Sequence, residues 1–167
     1  LQTDMGALIG TLQYMSPEQC AADPSDIDIR SDVYTLGVIL YELLCESLPY
    51  DVTKVAIAEA ARIVQQEQPT KPSTLNKRLR GDVETIAMKA LEKVRDRRYQ
   101  SAVELEQDID RYLTGDPIAA RRPSTWYHIK RFGTRHRAAA AAIVATVCVL
   151  LTAIVAISIF WLDADAQ

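Results

Sequence analysis

Apolar residues recur along the chain at spacings that predict helices, and no stretch before residue 121 predicts a strand. The densest run is Val33, Tyr34, Leu36, Val38, Ile39, Leu40, Tyr41, Leu43 and Leu44, which is apolar almost all round. A helix with no polar face belongs in the middle of a domain. Ser31 and Asp32 are read as its cap, and about 14 residues is too long for a buried strand. Gly37 inside the run costs about 1 kcal/mol against Ala, so a packing reason is expected there.

Weaker patterns flank this run. Residues 1–14 read as a loop containing Gly6 and Gly10, and Ser16, Pro17, Glu18 and Gln19 read as a short helix start with Ser at the cap. Residues 21–29 read as a polar connector. Asp51 is read as the cap of an Ala-rich helix that reaches Gln66, and residues 68–80 as a loop. Asp82 is read as the cap of a helix whose Val83, Ile86, Ala87, Ala90 and Leu91 keep the 3.6-residue period. A basic connector, residues 93–99, follows. Ser101 and Glu104 have capping-box spacing, ahead of a helix expected to show Leu105, Ile109, Tyr112 and Leu113 on one face. Gly115 ends that helix and Pro117 prevents its resumption. The fold class is mainly α.

A different pattern begins at Ala138. Residues 138–162 are 25 positions without a charge, polar only at Thr146, Thr152 and Ser158. A bilayer core needs about 20 apolar residues in a helix, so this stretch is expected to span a membrane rather than to form a core helix. Charge then changes the picture. Residues 1–120 hold 13 Lys/Arg against 20 Asp/Glu, a net of −7. Residues 121–137 hold six Lys/Arg and no acid, while only Asp163 and Asp165 follow the apolar stretch. Basic residues concentrate on the cytoplasmic side, so residues 1–137 are expected there and 163–167 form a short extracytoplasmic tail. Arg121, Arg122, Lys130, Arg131, Arg135 and Arg137 suit contact with anionic lipid. Trp126, Tyr127, Ile129 and Phe132 interleave with them, which fits either a short interfacial helix or a solvated linker. Ala138, Ala142 and Thr146 have a small-residue spacing that makes a homodimer through the spans a candidate.

Cys20, Cys45 and Cys148 show neither metal-ligand nor pairing spacing, as in a reducing compartment. The residues alone supply no Gly-rich phosphate loop, no nucleophile with a base and no metal constellation. The small net charge argues neither for nor against nucleic acid, and no nucleic-acid partner is expected.

The order of three motifs carries further information. Gly10-Thr11-Leu12-Gln13-Tyr14-Met15-Ser16-Pro17-Glu18, then Asp32-Val33-Tyr34-Thr35-Leu36-Gly37, then Arg98-Tyr99 resemble protein kinases from the end of the activation segment to the last helices. The Ala-Pro-Glu motif of that family stands here as Ser16-Pro17-Glu18. Over residues 1–114 the chain looks like the helical C-terminal lobe of a bacterial membrane-anchored serine/threonine protein kinase, followed by a juxtamembrane linker at 115–137 and the span at 138–162.

The resemblance implies specific roles. Glu18 would form a buried ion pair with Arg98, with Arg97 as the alternative partner. Asp32 would anchor the backbone of the catalytic loop, or serve as a plain helix cap. Gly10 and Thr11 would lie in the substrate-side loop. Thr3 is a candidate activation-loop phosphosite, and Glu42 a candidate contact for a basic protein substrate or a solvated helix charge. ATP and Mg would be bound by an upstream part, since the Gly-rich loop, the phosphate-binding Lys, the His-Arg-Asp loop and the Asp-Phe-Gly motif are absent and phosphoryl transfer depends on them. The chain is therefore expected to be an inactive fragment of a kinase, with apolar surface exposed where the missing half docks. Ser16 replaces Ala, Tyr34 stands where many relatives have Trp, and Val94-Arg95 replaces a common Asp-Pro. A pseudokinase scaffold and an unrelated helical sensor are the alternatives.

Overall fold

A computed structural model describes residues 12–21, 26–53 and 55–121, and within the later sequence 145–146, 148 and 150–152. Among the described residues up to 121 the α-helices are α1 (Pro17–Ala21), α2 (Ile29–Cys45), α3 (Ile57–Gln66), α4 (Pro72–Leu75), α5 (Asp82–Ala90) and α6 (Ala102–Thr114). Single 3-10 turns lie at Lys77–Leu79 and Arg95–Arg97, and no strand occurs among the described residues.

The apolar run becomes α2, which contributes residues to both buried apolar clusters of its unit. One of its sides, through Tyr34, Val38 and Tyr41, packs with Leu12, Val64 and Leu91. Another, through Val33, packs with Ile86, Ala90, Tyr99, Leu105 and Ile118. Helices α4, α5 and α6 contact α2 directly, and α1 lies against α3. The closest approach explains Gly37. A Cβ there would sit 2.7 Å from the Ala90 Cβ and 3.2 Å from its carbonyl carbon, so two backbones meet where only glycine fits.

Several helix starts differ from expectation. The cap of α2 lies three residues before Ser31, because Asp28 in extended backbone accepts the Arg30 N–H at 2.8 Å. Ser31 and Asp32 therefore occupy its first turn. Asp51 caps no helix: it accepts the Thr53 hydroxyl at 2.7 Å in a local turn, and α3 starts only at Ile57. The expected loop at 68–80 contains α4, with Pro72 at its first position, and a 3-10 turn capped by Asn76. Gly81 caps α5, so Asp82 is its first helical residue and receives Arg121 at 2.7 Å. Ser101 accepts the Glu104 N–H at 3.2 Å, while the Glu104 carboxylate takes the N–H of Gln100 rather than of the cap. Helix α6 buries Leu105 and Asp108, leaving Tyr112 38% and Leu113 75% exposed instead of inward. Gly115 follows at φ 81°, the left-handed conformation that ends a helix.

The described residues fall into two compact units. One comprises those up to Thr114 together with 118–121, so it extends past the expected boundary at 114. In the other, Ala145, Thr146, Cys148 and Leu150–Thr152 are helical and exposed. Among the described residues no helix is long and apolar enough to cross a membrane. The rest of the expected span at 138–162, the linker from 122 to 137 and the tail at 163–167 lie outside the described residues.

Gly37→Ala should lower unfolding stability by about 1–2 kcal/mol, since overpacking outweighs the gain in helix propensity. Urea titration of the two proteins checks this, and an unchanged or higher midpoint would contradict the close approach.

Candidate functional site

The expected site residues divide between described and undescribed positions. Thr3, Gly10 and Thr11 lie outside the described residues. Glu18 is in α1, Asp32 and Glu42 are in α2, and Arg98 follows the 3-10 turn at Arg95–Arg97.

Helix α1 is short, and its start is built by reciprocal bonds. The Ser16 N–H donates to Gln19 Oε1 at 2.8 Å, and Ser16 Oγ accepts the Gln19 N–H at 3.4 Å. Pro17 supplies the first helical position, which places Glu18 in the first turn, where a carboxylate is favoured. Glu18 is 7% exposed and Arg98 2%. They meet side by side: Arg98 Nη1 lies 2.6 Å from Glu18 Oε1 and Nη2 lies 2.7 Å from Oε2. Arg97 is exposed and takes no part in this pair.

Every N–H of the Arg98 guanidinium is used. Beyond Glu18, Nη1 donates to the Arg30 carbonyl at 3.0 Å, Nη2 to the Lys93 carbonyl at 3.2 Å and Nε to the Glu92 carbonyl at 2.6 Å. The Tyr34 ring lies 5.0 Å beneath it, a cation–π contact. Ser31, buried in the first turn of α2, donates its hydroxyl to Glu18 Oε1 at 2.7 Å. Burial alone would raise the Glu18 pKa, but the hydrogen bonds from Arg98 and Ser31 outweigh it and hold the carboxyl at about 2.

Two further bonds fix the stretch before α1 to α2. The Thr35 hydroxyl donates to the Tyr14 carbonyl at 2.9 Å, and the Tyr14 hydroxyl donates to Glu42 at 2.8 Å. Glu42 is thus engaged within the chain, and its hydrogen bond raises the Tyr14 pKa. Lys93 lies beside the pair and donates to the Tyr50 hydroxyl at 2.6 Å and to the Val64 carbonyl. Burial, and then the charge of Arg98, push this lysine down to about 8.

Asp32 is exposed and heads a stripe down α2 in which Leu36 and Ile39 are 40% and Leu43 77% exposed. Helix α2 is therefore not covered on every side, and this stripe is what its all-round apolar pattern leaves unexplained. Among the described residues no group of His, Cys, Asp and Glu could hold a metal ion. Chemically the arrangement fixes a segment in place; it contains no nucleophile activated by a base.

Sequence reasoning read Ser31 only as a cap, placed Lys93 only in a basic connector and did not single out Asp108. An apolar neighbourhood was the available signal for Asp108, which falls between Leu105 and Ile109 at inward helical spacing.

The protein kinase domain family matches residues 2–110. The chain is 39% identical over 123 residues to the serine/threonine-protein kinase PknB of Mycobacterium tuberculosis, covering 74% of this chain and 19% of that protein. It is 42% identical over 118 residues to the probable serine/threonine-protein kinase SCO3848 of Streptomyces coelicolor, covering 71% and 17% respectively. The chain thus spans less than one fifth of the length of these relatives.

Glu18→Ala should cost about 3–5 kcal/mol because it strands the buried guanidinium. The pH dependence has a definite sign. With the native carboxyl at about 2 against an ordinary 4.5, the contribution is complete above about pH 4.5 and lost as pH falls toward 2. That amounts to about 3 kcal/mol. Glu18→Gln should flatten this acid limb in denaturant titrations across the window; an unaltered limb would contradict the pair.

Proposed function

The chain belongs to the protein kinase family, and from that premise we propose that the whole protein transfers the γ-phosphoryl group of ATP to Ser or Thr of protein substrates. This chain would supply the helical, substrate-side part of the catalytic domain. The observation that carries the reading is the bidentate Glu18–Arg98 pair, which ties the Ser-Pro-Glu segment to the base of the lobe.

ATP and magnesium do not fit the residues described here: no carboxylate cluster suits the metal, and the sequence has no phosphate-cradling loop. In this reading they bind upstream of Leu1, together with the catalytic base. The exposed Leu36, Ile39 and Leu43 stripe supports that placement, since a helix apolar on this side needs a cover. Asp32 at its head would then accept hydrogen bonds from the catalytic-loop backbone. Gly10 and Thr11 would line the substrate, Thr3 would take an activating phosphate, and Glu42 would reach a basic substrate once Tyr14 releases it.

We also propose that residues 138–162 cross a membrane with residues 1–137 on the cytoplasmic side. The 25 uncharged positions and the flanking charge asymmetry support this. Arg121 is engaged by Asp82, so contact with anionic lipid would fall to the other five basic residues. A homodimer through Ala138, Ala142 and Thr146 belongs to the same proposal.

The intact protein, incubated with γ-labelled ATP and magnesium, should label Ser or Thr, whereas this chain alone should label nothing. Asp32→Asn should leave the stability of this chain within about 0.5 kcal/mol, because Asp32 is exposed in it. The same change should slow phosphotransfer by the intact protein at least about tenfold. Turnover by the isolated chain, or none by the intact protein, would overturn the reading; the latter result would favour a scaffold.

A further inference from the structure

One buried carboxylate ties the segment after α6 to the rest of its unit. Asp108 is 0% exposed, yet it accepts four hydrogen bonds. The Ala119 N–H donates to Oδ1 at 2.6 Å and the Ala120 N–H to Oδ2 at 2.7 Å. Arg111 Nη1 donates to Oδ1 at 2.8 Å, and the Tyr99 hydroxyl to Oδ2 at 3.0 Å. Two successive backbone N–H groups received by the two oxygens of one side chain make a clamp that no apolar residue could replace. Ile118, 3% exposed, is packed beside it in the core around Tyr99 and Leu105, and Arg121 closes onto Asp82.

Tyr99 joins this clamp to the ion pair. Its hydroxyl is on Asp108, and the residue before it is Arg98, whose guanidinium is on Glu18. Arg98 and Tyr99 are 2% and 1% exposed. Neighbours joined by one peptide bond in a close-packed interior cannot shift independently.

We propose that Asp108 is a positioning residue for the Glu18 anchor. Through Tyr99 it sets the place of Arg98, so that displacement of residues 118–121 loosens α1. The coupling is a property of the fold and goes beyond the kinase reading. Where that reading holds, it gives events on the C-terminal side of the lobe a route to the substrate-side segment.

Hydrogen exchange of the intact protein, followed by mass spectrometry, tests this without any phosphotransfer, so its failure and that of the kinase reading are separable. Asp108→Asn should speed exchange about tenfold or more in peptides covering 118–121, and at least about threefold in those covering α1. Peptides from the middle of α2 should be unchanged. Opening of 118–121 with α1 unaffected, or an equal rise in all three regions, would overturn the proposal. Tyr99→Phe keeps the ring and removes only the hydroxyl. It should speed exchange in α1 while Ala119 and Ala120 stay protected. Unchanged α1 exchange in that variant overturns the coupling even if Asp108→Asn fails to fold.

Discussion

Between α1, α2 and the 3-10 turn lies a carboxylate–guanidinium pair almost wholly removed from water, formed by residues 80 positions apart. An isolated charge in such a place costs several kcal/mol, and mutual attraction offsets this only when the remaining donors and acceptors are met. Here they are met. Arg98 directs all five N–H groups onto oxygens, three of them the main-chain carbonyls of Arg30 and of the successive residues Glu92 and Lys93, and Glu18 receives Ser31 as well. Well-packed apolar residues could match the stability of such a pair. They could not match its geometry, because a fork of five donors accepts only one arrangement of acceptors. The position of α1 follows from that constraint.

Much of the helical layout was legible because it rests on local chemistry. The period of Ile86, Ala87 and Ala90, the end of α3 at Gln66 and the Ser16–Gln19 start each depend on residues a few positions apart. Helix starts were less legible where several polar residues compete. Asp28, Ser31 and Asp32 could each cap α2, and Asp28 prevails while Ser31 turns inward to Glu18. Asp51 is satisfied by Thr53 two residues on, which removes it from capping. Gly37 showed a cost in the sequence, but its reason, the Ala90 backbone, lies on another helix.

The site was legible only through its motifs. Nothing in the period of Glu18 or Arg98 says that they meet; the family resemblance supplied the pairing. Local spacing could not distinguish Arg97 from Arg98, and burial does: one faces solvent while the other lies within reach of Tyr34 and three carbonyls. Buried polar residues outside the motifs were legible at most as helix caps, as with Ser31 and Asp82, and Asp108 not at all. Asp108 occupies an inward helical position that the pattern assigned to apolar neighbours, and its main-chain partners come from beyond the end of α6.

A double-mutant cycle combining Glu18→Gln with Arg98→Met, read by denaturant unfolding, isolates the energy with which these two side chains act together. A buried, fully bonded pair predicts that the double variant is more stable than additivity allows by about 2 kcal/mol or more. Single changes that add to within about 0.5 kcal/mol would mean the two residues do not hold each other, and α1 would need a different anchor.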